Sequence, residues 1–192
     1  MTKLSTRKAL LAQRKKAHSE ELEGNLPAMA KWLLAQLDTS KILASYKPIG
    51  SERDPGPLTK LLNIQLTFPK VMGSAQPLSF FSASKVDDFE RGAFGVMEPK
   101  DLLTEILPDI VIAPLVGFDE NGYRMGYGGG FYDRTLAKLR AVKSVTAIGY
   151  AYEKQLSKNP LNFEPTDLAL DFVMTPSNLY KFNSGKDKFT WS

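Results

Sequence analysis

From Arg124 to Arg134 the chain reads Arg-Met-Gly-Tyr-Gly-Gly-Gly-Phe-Tyr-Asp-Arg, and no other stretch restricts the possible folds as strongly. Consecutive glycines permit positive φ and let backbone N–H groups come close to a ligand. Upstream lies the apolar run Asp109-Ile-Val-Ile-Ala113, ended by Pro114, which reads as a central strand. Downstream, Tyr132, Thr135, Leu136 and Leu139 recur at helical spacing. A glycine loop leading into a helix brings unpaired N–H donors and a positive dipole end together, which makes a cradle for phosphate. The familiar glycine templates do not fit. A P-loop needs Gly-Lys-Ser/Thr, whereas Gly130 is followed by Phe131 and Tyr132. The dinucleotide fingerprint fails because Phe131 stands where its third glycine belongs. A purely structural hairpin or tight crossover would also use such glycines. The aromatic pair, the flanking arginines and Asp133 favour an anionic, ring-containing ligand instead.

The rest of the chain surrounds this loop with alternating helices and strands. Good helix formers fill Lys3 to Glu23, with neither Gly nor Pro before Gly24. Pro27 opens a second helix with Met29, Trp32, Leu33 and Leu37 on one stripe. Strands are predicted at Lys41–Tyr46, Leu66–Val71, Leu78–Phe81, Ser144–Tyr150 and Asp171–Met174, a short helix at Leu58–Leu62, and a turn at Asn121-Gly122. This alternation implies an α/β fold: one three-layer domain over residues 1–192, its central, largely parallel sheet flanked by helices. The polar tail, 183–192, reads as loosely held, with Phe189 and Trp191 available to anchor it.

The absence of cysteine excludes disulfides and thiolate zinc sites, and the single histidine, His18, leaves no basis for a Ser-His-Asp triad. Any metal must be held by carboxylates and water, which favours Mg²⁺. No apolar run reaches the ~20 residues of a membrane span, and the charged N-terminus lacks a signal-peptide pattern, so a cytoplasmic protein is expected. The net charge of +4 is mild and carries little weight.

The segment Arg124–Arg134 resembles the signature of the 5-formyltetrahydrofolate cyclo-ligase family. Further matches follow in the family's order: Lys3 and Arg7 in its N-terminal Lys-x-x-Leu-Arg element (with Thr6 for Leu), Tyr46–Glu52, Phe94–Pro99, Asp109–Pro114 with Phe118-Asp119, and Glu164–Asp167 followed by Asp171–Pro176. Two positions depart from it: Thr166 stands where His is usual before Asp167, and Gly129 where some relatives have Lys.

This resemblance implies ATP- and Mg²⁺-dependent conversion of 5-formyltetrahydrofolate, with or without further glutamates, to 5,10-methenyltetrahydrofolate. It implies that Lys3, Arg7, Arg124, Gly126, Gly128, Gly129, Gly130 and Tyr132 bind ATP, and that Arg124 and Asp133 act in catalysis. Asp133 and Asp167 would hold Mg²⁺, while Lys47, Glu52, Tyr127 and Phe131 would contact the folate. From the residues alone, Lys3 and Arg7 read more readily as a solvated basic face, Asp133 as a first-turn carboxylate and Asp167 as a cap; only the resemblance turns each toward the ligand. A monomer is expected, with neither nucleic acid nor membrane as partner; the only short basic run is Arg14-Lys15-Lys16. The rival readings are a non-catalytic folate- or RNA-binding module on the same fold and a sugar-phosphate isomerase or transferase.

Overall fold

The computed structural model describes residues 2–20, 24–37, 41–100, 104–182 and 187–191. Its helices are α1 (Lys3–Glu20), α2 (Leu26–Gln36), α3 (Gly56–Lys60) and α4 (Phe131–Arg140). Its strands are β1 (Leu43–Ala44), β2 (Leu66–Lys70), β3 (Ser79–Ser82), β4 (Phe89–Arg91), β5 (Met97–Pro99), β6 (Ile110–Ala113), β7 (Gly117–Phe118), β8 (Arg124–Met125), β9 (Thr146–Tyr150), β10 (Phe172–Met174), β11 (Asn178–Lys181) and β12 (Asp187–Thr190). Eight of these form one sheet in the order β12-β11-β10-β9-β6-β1-β2-β3. The inner pairings, from β10 through β9, β6 and β1 to β2, are parallel, and the outer ones antiparallel. The expected largely parallel sheet is therefore present, with antiparallel margins.

Alternation along the central strands sends successive side chains to opposite faces. Ile110, Ile112 and Ile148 join Met29 and Leu33 of α2 on one side, while Val111, Ala113 and Ala147 join Leu136 and Leu139 of α4 on the other. Both faces are covered, which explains why these strands are apolar throughout. Helix α2 starts where the sequence directs it: the Asn25 side chain accepts from the Ala28 amide at 3.1 Å, and Pro27 occupies the first turn.

Strand order places the site. From β1 the chain moves to β2 on one side, and it later returns to lay β6 on the other side of β1. The segments leaving the carboxyl ends of β1 and β6 thus diverge, and a crevice opens at this switch point.

Three expectations change. The strand predicted over Lys41–Tyr46 narrows to Leu43–Ala44, because the Ile42 amide turns to the Asp109 carboxylate at 2.8 Å rather than to a strand partner. The ribbons β4–β5 and β7–β8 were not foreseen; each strand has two or three residues, too few to show a period. In the tail, 183–186 and 192 lie outside the described residues, but Asp187–Thr190 is an edge strand on β11. Trp191 anchors it, as expected, donating its indole N–H to the Thr175 carbonyl at 2.9 Å and packing edge-on against Trp32.

Candidate active site

The crevice is a cleft of about 1080 Å³, and every site residue singled out from the sequence lines it. One wall is the glycine loop. The β7–β8 ribbon delivers it, turning at Gly122 (φ +81°) over the buried Asp119 carboxylate, which accepts from the amides of Asn121, Tyr123 and Leu161. Gly128 has φ +105° and faces the Arg7 guanidinium, 3.3 Å from where a Cβ would stand. Only glycine suits both constraints. Gly130 (φ +65°) caps α4, its carbonyl accepting from the Arg134 amide at 3.1 Å. At Gly129 a Cβ would lie 2.8 Å from the Phe131 ring, so a lysine here would require that ring to move.

Helix α1 closes the loop end of the cleft. Arg7 donates Nε to the Gly126 carbonyl at 2.9 Å. Lys3 reaches Asp167 at 2.7 Å and Glu164 at 3.0 Å. Burial works to lower the Lys3 pKa, but its two acidic partners outweigh this and hold it above the ordinary lysine value. Burial likewise pushes Asp167 up, and the Lys3 bond and the Glu164 amide more than reverse it. Arg124, only 4% exposed in its side chain, pairs with Asp133 at 2.9 Å and donates to the Leu168 carbonyl at 3.0 Å. The Leu168 amide returns to Asp133 at 3.1 Å, closing a ring of bonds between the loop, α4 and the segment carrying Asp167.

Asp133 and Asp167 each use one carboxylate oxygen in these bonds; among the described residues the second oxygen of each, Asp133 Oδ2 and Asp167 Oδ1, has no protein partner. Among the described residues no group of three or more acidic or imidazole side chains is placed to hold a metal ion by itself. Two free carboxylate oxygens suit an ion such as Mg²⁺, which keeps water and takes the rest of its shell from substrate phosphates. The donor set fits.

The other end of the cleft is apolar and aromatic around a buried acid. Burial raises the Glu52 pKa to about 6, against the Ile49 amide, which donates at 2.8 Å, and the charge of Arg14. Tyr132 lies close by, and burial with the neighbouring Glu52 charge pushes its phenol up. Lys47 rests its ammonium over Phe89 at 4.2 Å and Phe68 at 5.0 Å, and burial holds its pKa below the usual lysine value despite Asp54. Phe131 meets Phe94 edge-on at 5.8 Å. Phe94 is 72% exposed and held at φ 56° on the β4–β5 ribbon, overhanging the cleft.

Three residues here escaped the sequence reading. Phe94 and Glu98 sat inside a matched element without a role; Glu98 is buried on the cleft wall, accepts from the Val71 amide at 3.2 Å and is raised by burial. Arg14 was grouped with Lys15 and Lys16 as a basic run, whereas only the two lysines are exposed and Arg14 is buried at 1%. A signal existed, because Arg14 falls on the same helical stripe as Leu10 and Ala17.

With this geometry in place, the kinship is decisive: the 5-formyltetrahydrofolate cyclo-ligase family model matches residues 1–176. The chain belongs to that family. A 5-formyltetrahydrofolate cyclo-ligase of Mycolicibacterium smegmatis is 30% identical over 187 residues, covering 91% of this chain and 94% of its own. The enzyme of that name from Escherichia coli (strain K12) is 38% identical over 113 residues; the match covers 57% of this chain and 61% of that relative's length. Among solved structures, the Aquifex aeolicus 5,10-methenyltetrahydrofolate synthetase superposes with a TM-score of 0.68 at 27% identity, covering 97% of this chain and 96% of that one. The Mycoplasma pneumoniae 5,10-methenyltetrahydrofolate synthetase gives 0.62 at 25% identity, covering 90% and 98%. Cyclo-ligase membership agrees with the single α/β domain and with a glycine-loop cleft at its switch point.

Proposed function

We propose that this cyclo-ligase family member converts 5-formyltetrahydrofolate to 5,10-methenyltetrahydrofolate at the expense of ATP, releasing ADP and phosphate. The observation that carries this reading is the division of one cleft: glycine-loop amides with Lys3, Arg7 and Arg124 at one end, a buried carboxylate among aromatic rings at the other. A formamide is a poor electrophile because its nitrogen donates into the carbonyl. Attack of the formyl oxygen on the γ-phosphorus, with departure of ADP, converts that oxygen into part of a leaving group. The N10 lone pair then closes on the formyl carbon, N10 loses its proton, and the C–O bond breaks to release phosphate and leave the methenyl bridge.

The protein's contribution is position and charge. Arg7 and the amides around Gly126, Gly128, Gly129 and Gly130 bind the phosphates, and Arg124, fixed by Asp133, faces the charge moving to the β–γ bridge. Asp133 and Asp167 would hold Mg²⁺, which would supply charge neutralisation of the phosphates. Glu52 accepts from pterin N–H groups, while Tyr127 and Phe131 bound the flat rings; Tyr132, expected at ATP, lies beside Glu52 and is assigned here to the folate side as well. Lys47 attracts the electron-rich carbonyl side of the substrate. No helix among the described residues is long and apolar enough to cross a membrane, and a cytoplasmic monomer that takes mono- or polyglutamylated folate suits this reading.

The test follows the absorbance of the methenyl product with purified protein and 5-formyltetrahydrofolate. A rise that requires ATP and stops on chelating divalent cations is expected. Turnover without ATP, or folate binding without turnover, would overturn the proposal.

A further inference from the structure

Arg14 is a full turn and more from the nearest proposed ATP contact on its own helix, yet it is the most deeply buried cation of the cleft's surroundings. Its guanidinium meets four residues on three segments that the sequence keeps far from α1. Nε donates to the Ser51 hydroxyl at 3.2 Å and Nη1 to the Leu115 carbonyl, just beyond β6, at 3.1 Å. Nη1 also stands 3.8 Å from Glu52 Oε1, and Nη2 donates to the Tyr127 hydroxyl of the glycine loop. Its Cζ lies over the Tyr127 ring, 5.1 Å from the centroid. A lysine ammonium has no planar fork and cannot meet so many directions at once.

Resting on the folate assignment of Glu52, we propose that Arg14 is the positioning residue of the cyclo-ligase cleft: it stands as the charge partner behind Glu52, which meets the folate ring, and fixes Tyr127 over the same ligand. The groups that face Glu52 are consistent with this division of labour. Tyr46, beyond β1, and Tyr132, on α4, offer no positive charge, and the Ile49 amide offers a single N–H. The Ile49 amide opposes the cost of burying this carboxylate most strongly, and Arg14 on α1 is the cation that adds to it. Its four anchors lie on the segments that diverge from β1 and β6, so its loss would loosen the folate end while Lys3 and Arg7 keep their own bonds to Asp167 and the Gly126 carbonyl.

The experiment compares the parent protein with Arg14→Met, Arg14→Lys and Glu52→Gln, measuring KM for 5-formyltetrahydrofolate and for ATP, and kcat/KM for the folate against pH. In the parent, folate kcat/KM should decline as pH falls through the Glu52 titration. In Arg14→Met that limb should move upward by about one pH unit or more, the scale of losing a nearby opposite charge. The folate KM should rise about tenfold, and the ATP KM less than twofold. Arg14→Lys should return the limb toward the parent while leaving the folate KM raised, because charge is restored but Tyr127 is not held. Glu52→Gln should abolish the limb altogether. A limb and folate KM unmoved in both Arg14 variants, with only thermal stability reduced, would reduce Arg14 to a structural strut. If the wild-type protein shows no ATP-dependent turnover, equilibrium titration of the folate against pH gives the same comparison, so failure of the activity and failure of the Arg14 proposal remain distinguishable. Circular dichroism identifies any variant that does not fold, and Arg14→Lys, which keeps the charge, then decides the matter.

Discussion

Replacing Asp133 by Asn isolates charge from shape at the centre of the cleft. The Asp133 carboxylate accepts from Arg124 at 2.9 Å and from the Leu168 amide at 3.1 Å. Asparagine keeps an acceptor of the same size, so the join between α4 and the Leu168 segment survives. What disappears is the negative charge beside a guanidinium only 4% exposed. Removing one partner of a buried ion pair costs about 3–5 kcal/mol. Arg124 retains a neutral acceptor and the Leu168 carbonyl at 3.0 Å, which places the loss near the lower end, about 3 kcal/mol. In a chain of this length each kcal/mol lowers Tm by about 2–4 °C, so a fall of about 6–12 °C is expected. The rate should suffer independently of stability, because the variant lacks both a carboxylate oxygen for the proposed Mg²⁺ and the anion that aims Arg124. Loss of one preorganised charge of this kind lowers kcat by about 10²-fold or more. The assay is a thermal melt alongside methenyl absorbance at 25 °C, where the variant remains folded, with Mg²⁺ titrated. A melt lowered as described but with Mg²⁺-dependent turnover within twofold of the parent would remove Asp133 from the chemistry and refute the assignment.

Gly128→Ala should cost about 2 kcal/mol for its positive φ and make the Arg7 guanidinium give way slightly; a raised ATP KM with an unchanged folate KM is expected, and equal ATP KM values in variant and parent would contradict the cradle. Glu52 titrates at about 6 in the folded protein against an ordinary 4.5. Between those values the folded state holds the extra proton, so stability falls as pH rises, by about 2 kcal/mol from this group. Denaturant titrations at pH 4 and pH 7.5 should show that loss in the parent and its absence in Glu52→Gln; parallel pH profiles would show that Glu52 is not the buried acid inferred here.

The parts of this protein legible in the sequence are those governed by local rules. Positive φ at Gly128 and Gly130, the start of α4 just beyond them, and the capped start of α2 depend on a few adjacent residues. The apolar runs of β6 and β9 likewise announce buried strands, and from the alternation of elements the α/β layout follows. The family signature reached further, because it named residues from separate segments that all prove to line one cleft.

Tertiary structure alone decided what each charge faces. Lys3 meets Asp167 across 164 positions of chain, and neither residue's neighbours announce the pair. Arg14 stands in a run of three basic residues whose composition is the same whether a side chain meets water or protein; packing of α1 beside β7 and the segment after β9 put this one inside. The edge strand β12 is similar, since its polar residues acquire regular structure only by pairing with β11. A local pattern fixes backbone conformation and the face a residue occupies. It does not fix the element that arrives on that face, and in this cleft that arrival sets the ionisation of Glu52 and the partners of Arg124.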